Sequence, residues 1–119
     1  MKVLVADDSR VMRQIVIRTL RQAGYDWTVT EAVDGADALE KVRTEQPELV
    51  LSDWNMPNMT GLELLSALRS SGDTTPFGFV TSEGSTEMRD QADAAGAWFL
   101  IAKPFTPDTF RDTIDPFLG

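Results

Sequence analysis

The chain contains no cysteine, which excludes disulfides and thiolate-held metals and fits a reducing cytosol. Cations are scarce: 11 Lys and Arg stand against 19 Asp and Glu, a net charge of −8. That balance argues against direct nucleic-acid binding, which needs clustered Lys and Arg facing phosphate. It favours solubility and partners with basic patches. No apolar run reaches the roughly 20 residues of a membrane-spanning helix. The N-terminus enters a strand-like segment at once, without a signal-peptide pattern. The expectation is a cytoplasmic protein with no membrane insertion. No repeat, low-complexity stretch or linker interrupts it, and 119 residues with 42 % hydrophobic content suit one domain, residues 1–119, with a packed core.

Strand-like and helix-like segments alternate five times along this length. Strands are predicted over Lys2–Ala6, Trp27–Ala32, Leu49–Ser52, Phe77–Thr81 and Trp98–Ala102. Val11, Met12, Ile15, Val16 and Leu20 form an apolar helical stripe after Asp8 and Ser9, either of which can cap it. Asp34 and Gly35 open a second helix carrying Ala38, Leu39 and Val42, which ends at Gln46 because the residue before a proline avoids the α region. Thr60-Gly61-Leu62-Glu63 reads as a capping box ahead of Leu65 and Leu68. Met88, Ala92 and Ala95 mark a small-sided, loosely packed fourth helix. Thr106-Pro107-Asp108 starts a fifth, with Phe110, Ile114 and Phe117 expected to face the core and Asp115-Pro116 expected to cut the helix short.

This alternation is the signature of a parallel sheet covered by helices on both faces. The predicted fold is α/β: a doubly wound (βα)5 flavodoxin-like three-layer sandwich with strand order 2-1-3-4-5. In that order the first and third strands lie side by side at the switch point, where open α/β sheets bind ligands. Asp7 and Asp8 follow the first apolar run and Asp53 the third, while Thr81 and Lys103 end the fourth and fifth. All five therefore gather on one edge. Two like charges about 5 Å apart repel by roughly 3 kcal/mol at an effective dielectric near 20, so clustered carboxylates require a cation.

The chemistry open to such a cluster is phosphoryl transfer. A carboxylate such as Asp53 can attack phosphorus and form an aspartyl phosphate. Charge spread over the transferring oxygens then calls for cations and aligned donors. Mg²⁺ suits a site of one or two carboxylates with phosphate oxygens and waters. Lys103 can serve as a point charge and Thr81 as a hydroxyl donor. Taken singly, each residue also has a plain structural role: Asp7-Asp8 as a helix cap, Asp53 as a turn residue, Thr81 as a strand end, Lys103 as a solvated loop charge. Trp27 and Trp98 read as packing residues beside strands. Trp54, next to Asp53, is either a partly exposed reporter of the site or a loop aromatic packed on its neighbours.

Along nearly its whole length the sequence resembles the receiver domains of two-component response regulators. The stretch Ser52-Asp53-Trp54-Asn55-Met56-Pro57-Asn58-Met59-Thr60-Gly61-Leu62-Glu63-Leu64-Leu65 is especially similar to chemotaxis-type members. Asp7-Asp8, Asp34-Gly35, Val80-Thr81-Ser82-Glu83 and Lys103-Pro104-Phe105 match further receiver motifs in order. The resemblance implies Asp53 as phosphoacceptor, and Mg²⁺ on Asp7, Asp8, Asp53 and the backbone carbonyl of Asn55. It implies phosphoryl binding by Thr81, Ser82 and Lys103, a cis bond before Pro104, and a switch involving Thr81. A histidine kinase would be the phosphodonor. An output protein of unknown identity would read the surface of the fourth helix, fifth strand and fifth helix. The regulator is expected to be monomeric, and without a histidine the chain cannot be its own phosphohistidine donor.

Receivers of this type usually carry Tyr or Phe three residues before the lysine, as a ring that reorients on activation; here the position is Leu100. Three explanations stay open: a neighbouring aromatic substitutes, the surface signals without a ring, or the protein mainly accepts and drains phosphate. Ser82 stands where many receivers have Ala. Asn55 and Glu83 occupy positions associated with tuning autodephosphorylation, which is expected to be moderate to fast. The chain is read as a single-domain chemotaxis-like regulator, with a receiver excised from a longer regulator as the alternative. Haloacid dehalogenase-type phosphatases, which also use an aspartyl nucleophile, usually carry a second aspartate two residues later, where this chain has Asn55. It also has no insertion that could cap a substrate. Its only expected catalysis is its own phosphorylation and dephosphorylation.

Overall fold

The computed structural model describes residues 1–118. Five strands alternate with five helices: β1 (Lys2–Ala6), α1 (Arg10–Gln22), β2 (Thr28–Ala32), α2 (Gly35–Glu45), β3 (Leu49–Ser52), α3 (Gly61–Ser70), β4 (Phe77–Thr81), α4 (Thr86–Ala95), β5 (Phe99–Ala102) and α5 (Pro107–Leu118). The strands form one parallel sheet in the order β2-β1-β3-β4-β5. The predicted three-layer architecture is the observed one.

The central strands β1, β3 and β4 are near-continuous buried runs because helices cover both faces of the sheet, whereas the edge strand β2, Thr28–Ala32, is polar and buries only Ala32. Alternate residues then go to opposite layers. Leu4, Ala6, Val50, Phe77, Phe79 and Leu100 pack against Ala38 and Val42 of α2, Leu64, Leu65 and Leu68 of α3, and Ala92 of α4. Val3, Val5, Leu49, Leu51, Val80 and Ile101 pack against Val16 and Leu20 of α1 and Phe110 and Ile114 of α5. Each fully buried Leu, Val or Phe stabilises the fold by about 1.5–3 kcal/mol relative to exposure, and that burial holds the strand ends in register.

Helix starts follow the expected caps at α1, α2, α3 and α5, and Ser85 adds an unforeseen one at α4. The side chains of Ser9, Asp34, Thr60 and Ser85 each accept a backbone N–H of the first turn, and Thr60 with Glu63 completes a capping box. Thr106 and Thr109 exchange the same kind of bonds at the start of α5. Ser9, not Asp8, caps α1, which leaves Asp8 free for the sheet edge.

Four expectations are corrected. Strands β2 and β5 begin one residue later than predicted, leaving Trp27 and Trp98 just outside them. Val11 is 69 % exposed, and Arg13 and Thr19 share the buried face of α1 with Val16 and Leu20. Helix α5 runs through Pro116 to Leu118 instead of stopping at Asp115. Proline deletes one backbone donor near the helix end, and aromatic stacking holds the remaining turn: Phe117 lies 5.1 Å from Trp98 and 5.7 Å from Phe99, ring centre to ring centre. Phe117 accordingly sits 42 % exposed on the surface, not in the core. Only Ala92 is buried among the residues of α4, in line with a lightly anchored helix.

Candidate functional site at the carboxyl edge of the sheet

Strands β1 and β3 are neighbours, with Ala6 opposite Ser52, so the residues that follow them emerge together. The Asp53 amide donates to the Ala6 carbonyl at 2.9 Å and the Asp7 amide to the Ala32 carbonyl at 3.1 Å. These bonds extend the sheet ladder one step beyond the strands and fix where the two side chains leave the backbone. Asp7, Asp8 and Asp53 each present a carboxylate oxygen, and these oxygens all lie within 4.8 Å of one another. Asp7 is buried, Asp53 half-buried and Asp8 exposed, so the cluster opens toward solvent on one side.

Backbone amides hold two of the three carboxylates. The Ser9 amide donates to Asp7 Oδ1 at 2.8 Å, and the Trp54 amide donates to Asp53 Oδ1 at 2.8 Å. Burial, less the effect of the Ser9 bond and reinforced by Asp53 and Asp8, pushes the Asp7 carboxyl up to about 6. Burial also raises Asp53, with Asp8 adding to it; the Trp54 amide, the Thr81 hydroxyl and Lys103 pull the other way without cancelling it. Both shifts come first from burial, and the neighbouring carboxylates add to them. An all-oxygen donor set of this size fits a hard divalent cation such as Mg²⁺.

The rest of the site comes from the other strand ends. Thr81 is fully buried at the end of β4, with Ser82 exposed beyond it. The Lys103 amide donates to the Thr81 carbonyl at 3.1 Å, so the lysine is carried on β5's extension beside Thr81. The Lys103–Pro104 peptide is cis, as the resemblance implied. Asn55 is exposed on the loop two residues past Asp53. That loop is tied to α2: the Asn58 side chain, on a residue with φ 68°, donates to Asp34 Oδ2 at 2.8 Å. A Cβ at Gly35 would stand 2.2 Å from the Met59 carbonyl oxygen, so only glycine lets the loop settle there. Trp54 is half-buried and packs on Phe79 with ring centres 4.7 Å apart, which makes it both a packed loop aromatic and a neighbour of the site.

Leu100 packs under the loop after β4, its Cδ2 2.9 Å from where a Cβ of Gly84 would be. Its side chain is buried among the α2, α3 and α4 contacts, and its carbonyl accepts a 2.9 Å bond from Arg89 of α4. Neither nearby aromatic replaces it. Phe99 points to the opposite face, its ring atoms 2.2 Å from where a Cβ of Gly78 would be, and Trp98 stacks outward on Phe117.

The sequence reading missed Arg13 and Glu31. Arg13 Nη1 donates to the Asp7 carbonyl at 2.8 Å, and its Nε donates to Glu31 Oε1 at 2.8 Å. A signal was present: Arg13, Val16 and Leu20 are spaced i, i+3, i+7, and a cation at core-facing spacing needs a buried partner.

Comparison with known proteins agrees with this geometry. The response regulator receiver domain model matches residues 3–115. Chemotaxis protein CheY1 of Helicobacter pylori is 38 % identical over 122 aligned positions, covering 100 % of this chain and 98 % of the relative. A CheY homolog of Campylobacter jejuni is also 38 % identical, over 100 % of this chain and 93 % of its own length. The structure of Vibrio cholerae chemotaxis protein CheY4 superposes with a TM-score of 0.83 at 40 % identity, covering 97 % of this chain and 96 % of that one. With strand order, acidic edge and full-length similarity in agreement, the chain belongs to the response regulator receiver domain family, and its similarity within that family runs to chemotaxis regulators of the CheY type.

Proposed function

We propose that the protein takes a phosphoryl group from a histidine kinase onto Asp53 and, so modified, changes the surface that a downstream protein reads. The observation that carries this reading is the meeting of three carboxylate oxygens within 4.8 Å at the ends of β1 and β3. An Asp53 oxygen bonds to phosphorus while the bond from phosphorus to the donor's imidazole nitrogen breaks, and the electron pair stays with the imidazole. When bound by Asp7, Asp8, Asp53 and the Asn55 carbonyl, Mg²⁺ would offset the charge of the phosphoryl oxygens. Lys103 supplies a second positive charge and Thr81 and Ser82 supply hydroxyl donors. Asn55 and Glu83 flank the approach of the hydrolytic water and favour moderate to fast dephosphorylation. The family signals and does not turn over an external substrate, so this self-directed chemistry is the whole of its catalysis.

The readout surface is the face of α4, β5 and α5. A cleft of about 200 Å³ lies there, lined by Arg89, Ala92, Asp93 and Trp98 among others. Leu100 lines this cleft as a buried aliphatic side chain where a ring would otherwise stand, so the surface responds through Thr81 and α4 without a rotating ring at position 100. We propose a monomer acting in the cytoplasm, as one receiver domain with no direct nucleic-acid contact; the absence of cysteine and the acidic charge support this. Among the described residues no helix is long and apolar enough to cross a membrane.

Intact mass after incubation with acetyl phosphate tests the proposal. One added phosphoryl group is expected, lost in Asp53→Asn and lost when Mg²⁺ is chelated. A folded protein that gains none with acetyl phosphate or with histidine kinases contradicts it.

A further inference from the structure

Arg13 is a buried cation on α1, between the apolar β1 and the polar edge strand β2 that carries Glu31. Its guanidinium closes a ring of contacts. Nη1 donates to the Asp7 carbonyl and Nε to Glu31. Glu31 is followed by Ala32, whose carbonyl accepts the Asp7 amide. The Asp7 carbonyl belongs to the peptide joining Asp7 to Asp8 and the Asp7 amide to the peptide before it, so the strand bond and the arginine between them hold the two peptides that flank the Asp7 side chain. The Arg13 amide also donates to the Ser9 carbonyl at 3.0 Å, and the Ser9 amide is the donor to Asp7 Oδ1.

We infer that Arg13, forked between the Asp7 carbonyl and Glu31, is a positioning residue that holds Asp7 and Asp8 in the geometry a divalent cation requires. It touches no carboxylate of the cluster in these contacts and acts through the main chain. Arginine suits the role because its rigid planar fork serves two acceptors at fixed angles, which a lysine ammonium on a flexible stem does not. Groups that orient metal ligands in this way typically contribute ~10-fold or more to metal affinity. The inference rests on the proposed Mg²⁺ site.

The test is a Mg²⁺ titration followed by tryptophan fluorescence, with Trp54 beside Asp53 as reporter and Trp54→Phe as the blank. Arg13→Met fills the same slot without donors. It is expected to raise the Mg²⁺ dissociation constant about tenfold, at a temperature where circular dichroism shows the fold intact. Arg13→Lys, which keeps one donor for the Asp7 carbonyl, recovers part of the loss. Glu31→Ala frees Nε alone and gives a smaller loss of the same sign; it carries the test if Arg13→Met fails to fold. The core variant Ile114→Val lowers stability without changing Mg²⁺ affinity. Wild-type affinity in folded Arg13→Met, or in Glu31→Ala where Arg13→Met does not fold, overturns the inference and leaves the Mg²⁺ site standing. No Mg²⁺ response in the wild type, with calorimetry also silent, overturns both.

Discussion

A Cβ at Gly61 would stand 2.1 Å from the main-chain oxygen of Asp53. Helix α3 therefore begins in contact with the residue at the centre of the site, and the Gly61 amide donates to the Trp54 carbonyl at 2.8 Å. The close approach leaves room for hydrogen only. Gly61→Ala must push α3 or the loop after β3 outward. It is expected to cost about 3 kcal/mol in urea denaturation and to weaken Mg²⁺ binding as Asp53 shifts.

Asp7 and Asp53 give the metal-free protein a distinctive pH dependence. The folded-state pKa of Asp7 is raised to about 6, chiefly by burial, and Asp53 is raised for the same first reason. The native state then holds protons that the unfolded chain has released, so stability present near pH 4 is lost as pH rises toward 6. Asp34, Glu63 and Asp73 are lowered by hydrogen bonds and act in the opposite sense, adding stability as pH rises through their ordinary values of 3.8 to 4.5, at the acid end of this window. In chelator, denaturation from pH 4 to 7 should show a decline of about 2 kcal/mol that Asp7→Asn largely removes. Mg²⁺ should flatten the decline, because the cation competes with those protons.

Leu100 is a core residue in this structure, packed with Phe79, Ala92 and the α3 leucines. Leu100→Ala is expected to cost about 3 kcal/mol by cavity formation while leaving Mg²⁺ affinity and phosphorylation by acetyl phosphate unchanged in the folded protein. A large loss of phosphorylation without loss of stability would instead place Leu100 in the site's chemistry.

The end of α5 depends on a surface stack. Phe117→Ala removes the contacts to Trp98 and Phe99 that hold the turn beyond Pro116. The expected cost is about 1 kcal/mol, with faster hydrogen exchange confined to the last turn of α5.

Much of this was legible in the sequence because one-dimensional pattern maps directly onto a parallel sheet. Val3–Ala6 and Leu49–Leu51 are apolar throughout, which marks strands buried on both faces, and the aspartates that follow could fall only on the carboxyl edge. Capping residues such as Thr60 carry local physics and were readable for the same reason. What escaped was tertiary in origin. Pro116 reads as a stop because the stack that carries α5 past it joins residues 98 and 117. Arg13 reads as a surface charge until the Asp7 carbonyl and Glu31 are seen around it. The face of Leu100 is fixed by β5's pairing with β4, where Leu100 lies opposite Phe79.

The central claim is that Asp53 is the phosphoacceptor. Borohydride reduction after exposure to acetyl phosphate and Mg²⁺, followed by peptide mapping, addresses it at single-residue level, because reduction converts an aspartyl phosphate into homoserine. The account predicts homoserine at position 53 alone, absent when Mg²⁺ is chelated. Homoserine at Asp7 or Asp8, or phosphate retained on a serine or threonine with position 53 unmodified, would contradict it.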